Sequence, residues 1–469
     1  MSYLALLLAY AAAQIALGIW TGRRVRTARD FFVAGRALGP GLLFATMLAA
    51  NIGAGSTVGA TGLAYRDGLA AVWWVGSAAA GSIVLALWIG PAIRRAAAAH
   101  DLRTVGDFLE LRFGVHVRTT IAVLLWVGAI FILAGQLIAI ATILNVVVGL
   151  RLVWGCVLGG LLITIYFTAG GLLTSAWVNA VQLTVKLAGF SIALPLALSS
   201  VGGWSALTGL HPTPDYWHLW SGGQSGLVYL AVLGPAFIVS PGLLQKIYGA
   251  RDDRAVRLGV GLNALALAAY AMVPVMLGMI ARVRFPDLPS PQLALPMVLM
   301  HGVPAAVGAL GLAAVFSAEL SAADAVLFML TTSLAQDFYR RFLHPDATET
   351  QMLRVTRVTA VGAGLLGVGV AVAAESVITA LSIFYTLMGV GMFVPILAGL
   401  YIRGAREWDA MAAVIAGVGT VLACQFVLGG RALYGLTPAM AGLAMAALAF
   451  AVAISLRKIR GGLKAASSG

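Results

Sequence analysis

The chain has 469 residues, 61% of them apolar and 10% charged, with a formal net charge of +13 and a mean hydropathy of +0.96. A soluble protein is about 45–50% apolar and about 25% charged, so a soluble multi-domain enzyme is excluded, because its surface would not stay wet. Disorder needs low hydrophobicity and collagen needs glycine at every third position, which leaves an integral membrane protein with many spans.

A spanning helix needs about 20 mostly apolar residues. In chain order thirteen segments qualify: 2–20, 41–65, 69–93, 118–147, 152–168, 172–199, 226–249, 257–282, 303–335, 355–374, 377–402, 409–428 and 433–456. None alternates polar and apolar residues with period two, so the spans are helices and not barrel strands. The first has no positive charge before it and Arg23, Arg24, Arg26 and Arg29 after it. That is the reverse of a signal peptide, and it predicts a retained helix with its N-terminus outside. On this orientation the cytoplasmic segments are 21–40, 94–118, 169–171, 246–257, 336–357, 403–408 and 457–469. They hold 24 Lys and Arg against 5 on the other side, with Lys186 alone inside a span. The bias follows the positive-inside rule. It predicts a multi-pass cell-membrane protein with a cytoplasmic C-terminus, and it explains the net charge without a nucleic-acid partner. Arg outnumbers Lys 26 to 4, which fits a GC-rich bacterial genome.

Cys156 and Cys424 lie in apolar runs and read as packing residues. The six histidines fall in loops or at segment ends, and no P-loop, HExxH or GxSxG motif is present. Hydrolytic or redox chemistry is therefore not indicated, and the chain does not read as an enzyme.

Two spans are interrupted at mid-membrane depth. The second carries Asn51-Ile52-Gly53-Ala54-Gly55-Ser56, and the seventh carries Gly234-Pro235 and Ser240-Pro241-Gly242. Each interruption frees backbone groups that lipid cannot satisfy, so each must face a cavity or another helix. Matched breaks in two halves are the mark of inverted-repeat transporters. The expected fold is an all-α polytopic membrane protein forming one transport domain. Its first inverted repeat is 41–199 and its second 226–402, five spans each, with 118–147 and 303–335 as corresponding third members. Outside the repeat lie helix 1–20, the pair of helices in 409–456 and a tail, 457–469.

Five motifs in order resemble the sodium:solute symporter family, which has a LeuT-like inverted-repeat fold. They are Asp30 to Arg36 (DFFVAGR), Thr104 to Gly114 (TVGDFLELRFG), Tyr166 to Gln182 (YFTAGGLLTSAWVNAVQ), Ser321 to Tyr339 (SAADAVLFMLTTSLAQDFY) and Pro395 to Tyr401 (PILAGLY). The resemblance covers about residues 20–420. It implies secondary active transport of a small solute across the bilayer, powered by co-transported sodium. It implies a sodium site made of the Ala49, Ile52 and Ala318 carbonyls and the Ser321 hydroxyl, oxygen ligands that suit a hard cation. The sequence departs from the pattern twice: the second hydroxyl is replaced by Ala322, and the family's Asp in the third motif is Asn179.

Charge at mid-membrane costs about 2.5–3.5 kcal/mol on insertion scales, which makes each such group a functional candidate. Three qualify: Lys186, Glu319 and Asp324. At about 100° per residue, Ala318, Ser321, Ala322 and Ala325 share one helix face. Asp324 lies on one flank of that face and Glu319 on the other, while Asn179, Gln182 and Lys186 form a stripe on the sixth span. Asp324 is expected to take over the ion-coupling role of the missing Asp at Asn179, binding a cation or carrying a proton. Lys186 is expected to pair with Asp324 or Glu319. An ammonium of Lys186 inside the ion site would replace sodium and favour proton coupling. Expected solute-lining groups are Asn51, Gly53, Ser56, Thr57, Trp73, Gln136, Phe237, Ser240, Tyr385 and Thr386, with amides at Gly53–Gly55 facing a carboxylate. That set is too apolar for a sugar and points to a small organic anion or an amino acid. A proton-coupled transporter using Asp324 and Lys186 is the alternative on this fold. A channel or an integral-membrane enzyme is the alternative of another class.

Overall fold

The computed structural model describes residues 3–22, 33–167, 172–222, 226–374, 376–429 and 435–467. The Asp30–Phe32 stretch of the first motif, the arginines at 23–29 and the 169–171 connection lie outside them. The described chain is helical. The helices are α1 (Tyr3–Gly22), α2 (Pro40–Asn51), α3 (Ala60–Asp67), α4 (Val72–Val84), α5 (Gly90–Ala99), α6 (Val105–Phe113), α7 (Val115–Val148), α8 (Leu152–Phe167), α9 (Leu172–Ser200) and α10 (Trp204–Thr208). The second half holds α11 (Gly226–Ile238), α12 (Pro241–Tyr248), α13 (Asp253–Tyr270), α14 (Met272–Arg284), α15 (Ala294–His301), α16 (Ala305–Ser333), α17 (Glu349–Ala373), α18 (Val377–Tyr401), α19 (Glu407–Phe426) and α20 (Pro438–Ser467).

Among the described residues eleven helical runs are long and apolar enough to cross a membrane, not the expected thirteen. The difference has two sources. Segments 41–65 and 69–93 are not two uniform spans: Pro40–Asn51 is a short helix, and the rest continues as one run, Gly55–Ala99. The run breaks at Gly68, whose left-handed φ of +75° ends α3. The apolar helix Leu152–Ile165 falls below the length that qualifies.

Packing follows a reciprocal pattern. The two parts of the first broken helix, α2 and α3, pack on α13 and α14, while the second broken helix packs through α11 on α4. Likewise α9 packs on α16, and α18 on α7. Exchanging each first-half helix with its second-half counterpart maps these contacts onto one another, which is inverted-repeat-like packing. The centre of the bundle is α16, in which every residue from Gly311 to Ser333 is buried. Helices α19 and α20 pack on each other and on α18, outside this core.

Four of the family-like motifs converge at one end of the bundle. Thr104 caps α6 with a capping box to Asp107 and donates to Asp337 at 2.6 Å. Arg118 reaches Asp107 at 2.9 Å, Glu110 at 2.5 Å and Asp337 at 2.7 Å. A Cβ at Gly106 would lie 2.6 Å from Asp337, and one at Gly399 would lie 3.2 Å from the Phe108 ring. Ala34, Gly35 and Arg36 take positive φ, and Arg36 then donates to the carbonyls of Tyr248 and Leu102, each at 3.0 Å. The chain leading into the first broken helix is thus tied to the end of the second, where Leu38 also bonds Gly249 and Arg251 through the backbone.

Candidate functional site

The first break opens where α2 ends. Ile52 is extended (φ −89°, ψ 90°), and a tight web re-satisfies the freed groups. The Gly53 amide donates to Ser56 Oγ at 3.0 Å and the Ala54 amide to Gln136 Oε1 at 2.9 Å. These two amides are therefore engaged within the protein and do not face a solute. Ser56 Oγ donates to the Asn51 carbonyl at 2.9 Å. The second break lies at Ser240, after which Pro241 begins α12 without needing an amide partner.

Between the breaks lies a cavity of about 760 Å³, including the space at its mouth. Of the expected lining groups it brings together Asn51, Gly53, Ser56, Gln136, Phe237, Ser240 and Tyr385. Three expected groups lie elsewhere. Trp73 stacks on Trp220 with ring centroids 4.2 Å apart and donates to the Leu219 carbonyl; its neighbour Trp74 lines the cavity instead, edge-on to Tyr385 and Tyr229. The swap follows from helix phase, since adjacent residues differ by about 100°. Thr57 turns away to donate to Glu319 at 2.8 Å. Thr386 lines a separate small groove with Pro235 and Gly389.

The four oxygens expected to bind sodium do converge, and Lys186 stands among them. Its Nζ donates to the Ala49 carbonyl at 2.6 Å, the Ile52 carbonyl at 3.1 Å and Ser321 Oγ at 2.5 Å. Ser321 Oγ lies 2.7 Å from the Ala49 carbonyl and 3.0 Å from that of Ala318. An ammonium has three N–H donors, and three oxygens meet them. Among the described residues Lys186 forms no ion pair within 4.0 Å with Asp324 or with Glu319. Its hydrogen bonds go to two backbone carbonyls and a hydroxyl, because α9 packs directly on α2 and α16 at the break, while Glu319 acts on it by charge without such contact.

The two carboxylates engage different walls. Glu319 accepts from Thr57 through one oxygen, and its Oε2 has no partner among the described residues. Asp324 accepts from Ser175 Oγ. Asn179 Nδ2 donates to Ser175 Oγ at 3.2 Å and to Thr46 Oγ1 at 3.1 Å, and its Oδ1 is unpartnered among the described residues. Thr46 Oγ1 also accepts from Lys246 Nζ at 3.3 Å. A polar chain thus runs from Asp324 through Ser175, Asn179 and Thr46 to Lys246.

Lys246 is the residue that sequence reading misplaced. Its position at a span end puts it with the flank charges in 246–257, whereas the structure buries it to 2% exposure on the cavity wall. Only the Pro241 restart of the helix, which brings its last turn under α2, could have signalled this. Ser175 and Thr46 carry no signal in the sequence either, since single hydroxyls in apolar helices are ordinary.

A model of the sodium:solute symporter family matches residues 31–417. The chain is 26% identical over 472 aligned positions to the sodium/pantothenate symporter of Escherichia coli (strain K12), covering 95% of each. It is 22% identical over 422 positions to a high-affinity proline transporter of Bacillus subtilis (strain 168), covering 87% of this chain and 88% of that one. A solved substrate-bound, outward-open state of a Na⁺-coupled sialic acid symporter matches it in fold, with TM-score 0.82, 20% identity, and 97% and 98% of the two chains covered.

Proposed function

The chain belongs to the sodium:solute symporter family, and from that premise we propose that it carries a small organic solute, a carboxylate or an amino acid, across the cell membrane in symport with sodium by alternating access. It is a secondary active transporter and not an enzyme. The observation that carries the reading is the cavity framed by two broken helices at the centre of a reciprocally packed bundle. We read thirteen crossings, since Gly68 divides the run Gly55–Ala99 and Leu152–Phe167 adds one, with the N-terminus outside, the C-terminus cytoplasmic and the repeats at 41–199 and 226–402.

Because the Lys186 ammonium stands among Ala49, Ile52, Ala318 and Ser321, we place the coupling sodium at Asp324. There the Asp324 carboxylate, Ser175 Oγ, Thr46 Oγ1 and Asn179 Oδ1, unpartnered among the described residues, supply hard oxygen donors. One observation favours a second reading. Lys186 completes all three of its hydrogen bonds with the oxygens of the broken-helix position, so a protonated Lys186 can stand in for a bound cation there. Coupling would then use a proton carried by Lys186 and Asp324.

Thermal stability of the purified protein in sodium against potassium, at equal ionic strength and two pH values, separates the two. A cation held only by the native state stabilises it by RT ln(1 + [L]/Kd), about 2.7 kcal/mol at a hundredfold excess over Kd. The expected result is a sodium-specific rise in Tm that Asp324→Asn abolishes. A Tm that ignores sodium but moves with pH selects the proton-coupled reading.

A further inference from the structure

Lys246 is the one charged side chain on the cavity wall among the described residues, and no acidic side chain shares that wall with it. Its Nζ has a single hydrogen-bond partner, Thr46 Oγ1 at 3.3 Å, so two of its three donors are unmet among the described residues. Among the described residues no carboxylate lies within 4.0 Å of it: Asp324 is near enough for the two charges to act on each other, but is linked to it by hydrogen bonds only through Thr46, Asn179 and Ser175. A buried ammonium in this state calls for an anion. The remaining polar groups on the wall, Asn51, Ser56, Gln136 and Ser240, carry no charge, and their web at the first break is largely engaged within the protein. Trp74, Phe237, Phe384 and Tyr385 add aromatic surface to the cavity wall.

We propose that Lys246 is the anion-binding residue of the cavity, and that the solute is a small organic anion whose carboxylate takes the two free donors of its ammonium. The inference rests on the reading of the cavity as the solute site. It moves the recognition of the carboxylate from the Gly53–Gly55 amides, two of which are engaged, to the last turn of α12. It also excludes solutes whose only charge is positive, since the cavity offers them a like charge and, among the described residues, no carboxylate on its wall. The Thr46 contact makes Lys246 common to the solute and to the Asp324 network. An anion that draws the ammonium into the cavity relieves Asp324 of a positive charge and favours a cation there, a reciprocal coupling between the two ligands.

The test uses the full chain in detergent or lipid nanodiscs, with propionate, lactate and pyruvate as anionic probes and propionamide, glycerol and choline as neutral and cationic counterparts. Binding is read from the Tm as a function of probe concentration. The expected result is stabilisation by an anionic probe alone. Lys246→Met raises the Kd of that probe at least about tenfold, as loss of a buried charge partner does, and Lys246→Arg restores part of the affinity. An apparent failure caused by misfolding of Lys246→Met is identified by its Tm without probe, and the arginine variant then carries the comparison. Ala325→Phe, which fills the cavity, separates this proposal from the reading beneath it. A probe that binds and is lost in Ala325→Phe but kept in Lys246→Met overturns the role of Lys246 and leaves the cavity as solute site. Binding that survives Ala325→Phe overturns both. A panel in which choline or a neutral probe stabilises the wild type and no anion does also overturns the proposal.

Discussion

Lys186 sets the problem at the scale of single residues. A buried ammonium without partners is prohibitively costly, yet this one is met by three oxygens at 2.5–3.1 Å, close to the ideal for charge-assisted bonds. Two of the acceptors are carbonyls that the break in α2 has released, so the lysine and the break satisfy each other. Replacing it with methionine removes the ammonium donor from the Ile52 carbonyl, while the Ala49 carbonyl and Ser321 Oγ keep each other at 2.7 Å. Each orphaned polar group costs about 1–3 kcal/mol. Lys186→Met is therefore expected to lower the Tm in potassium, and sodium is expected to recover part of the loss by entering the vacated oxygen cage. The comparison of that variant's Tm in the two salts checks it, and equal values would remove the cage as a latent cation site. Asp324 and Glu319 illustrate how helix phase separates function: five residues apart on α16, one reaches Ser175 on α9 and the other Thr57 beyond the first break.

At the scale of elements, the breaks exist because glycine lets backbone and neighbouring helices approach where a side chain cannot. A Cβ at Gly53 would lie 2.5 Å from Ala322 Cβ and 3.0 Å from Gln136 Oε1. The first contact is with a short side chain on the rigid centre of α16 and cannot yield. Gly53→Ala is expected to destabilise the protein by about 1–3 kcal/mol, the usual cost of overpacking, and to shift the break off α16. Thermal denaturation and solute uptake together test this: an unchanged Tm would mean that the break is more pliable than its packing. The contact also gives a physical sense to Ala322, which supplies no hydroxyl but is small enough to admit the turn at Gly53. The same close approach recurs where α14 crosses α3, since a Cβ at Gly278 would stand 2.3 Å from the Thr61 carbonyl.

Across the whole molecule, the reciprocal packing of the two halves places both breaks against α16, and the convergent motifs lock one end of the bundle. That lock is ionic. Glu110 is partly buried, which raises its pKa, but the Arg118 and Arg341 guanidiniums at 2.5 and 2.8 Å outweigh burial and hold it below its ordinary value of 4.5. A group with a depressed folded pKa contributes stability above its unfolded pKa and loses it as pH falls through the folded value. The contribution is thus present at neutral pH and disappears below about pH 4.5. Because Glu110 and Arg341 keep contact with solvent, it amounts to a few tenths to about 1 kcal/mol. Glu110→Gln is expected to lower the Tm at pH 7 and to flatten its fall toward pH 4, as read from melting curves across that range. A parallel downward shift at every pH would show that Glu110 acts through packing alone.

The sequence by itself determined the class of the protein, the sites of both breaks and the family, because each is a local or periodic property. Apolar runs of a fixed length, glycine and proline at matching places and ordered motifs can all be read along one chain. It also singled out Lys186, Glu319 and Asp324, since charge inside an apolar run is conspicuous whatever the fold. Only the tertiary structure decided which partners these groups take. Lys186 sends its hydrogen bonds to carbonyls and Ser321, Trp74 and not Trp73 lines the cavity, and Lys246 lies on the cavity wall and not at a flank. Each of these depends on helix phase and on how α2, α9, α12 and α16 meet, and a contact between residues some 135 or 200 positions apart leaves no mark on the local pattern of either one.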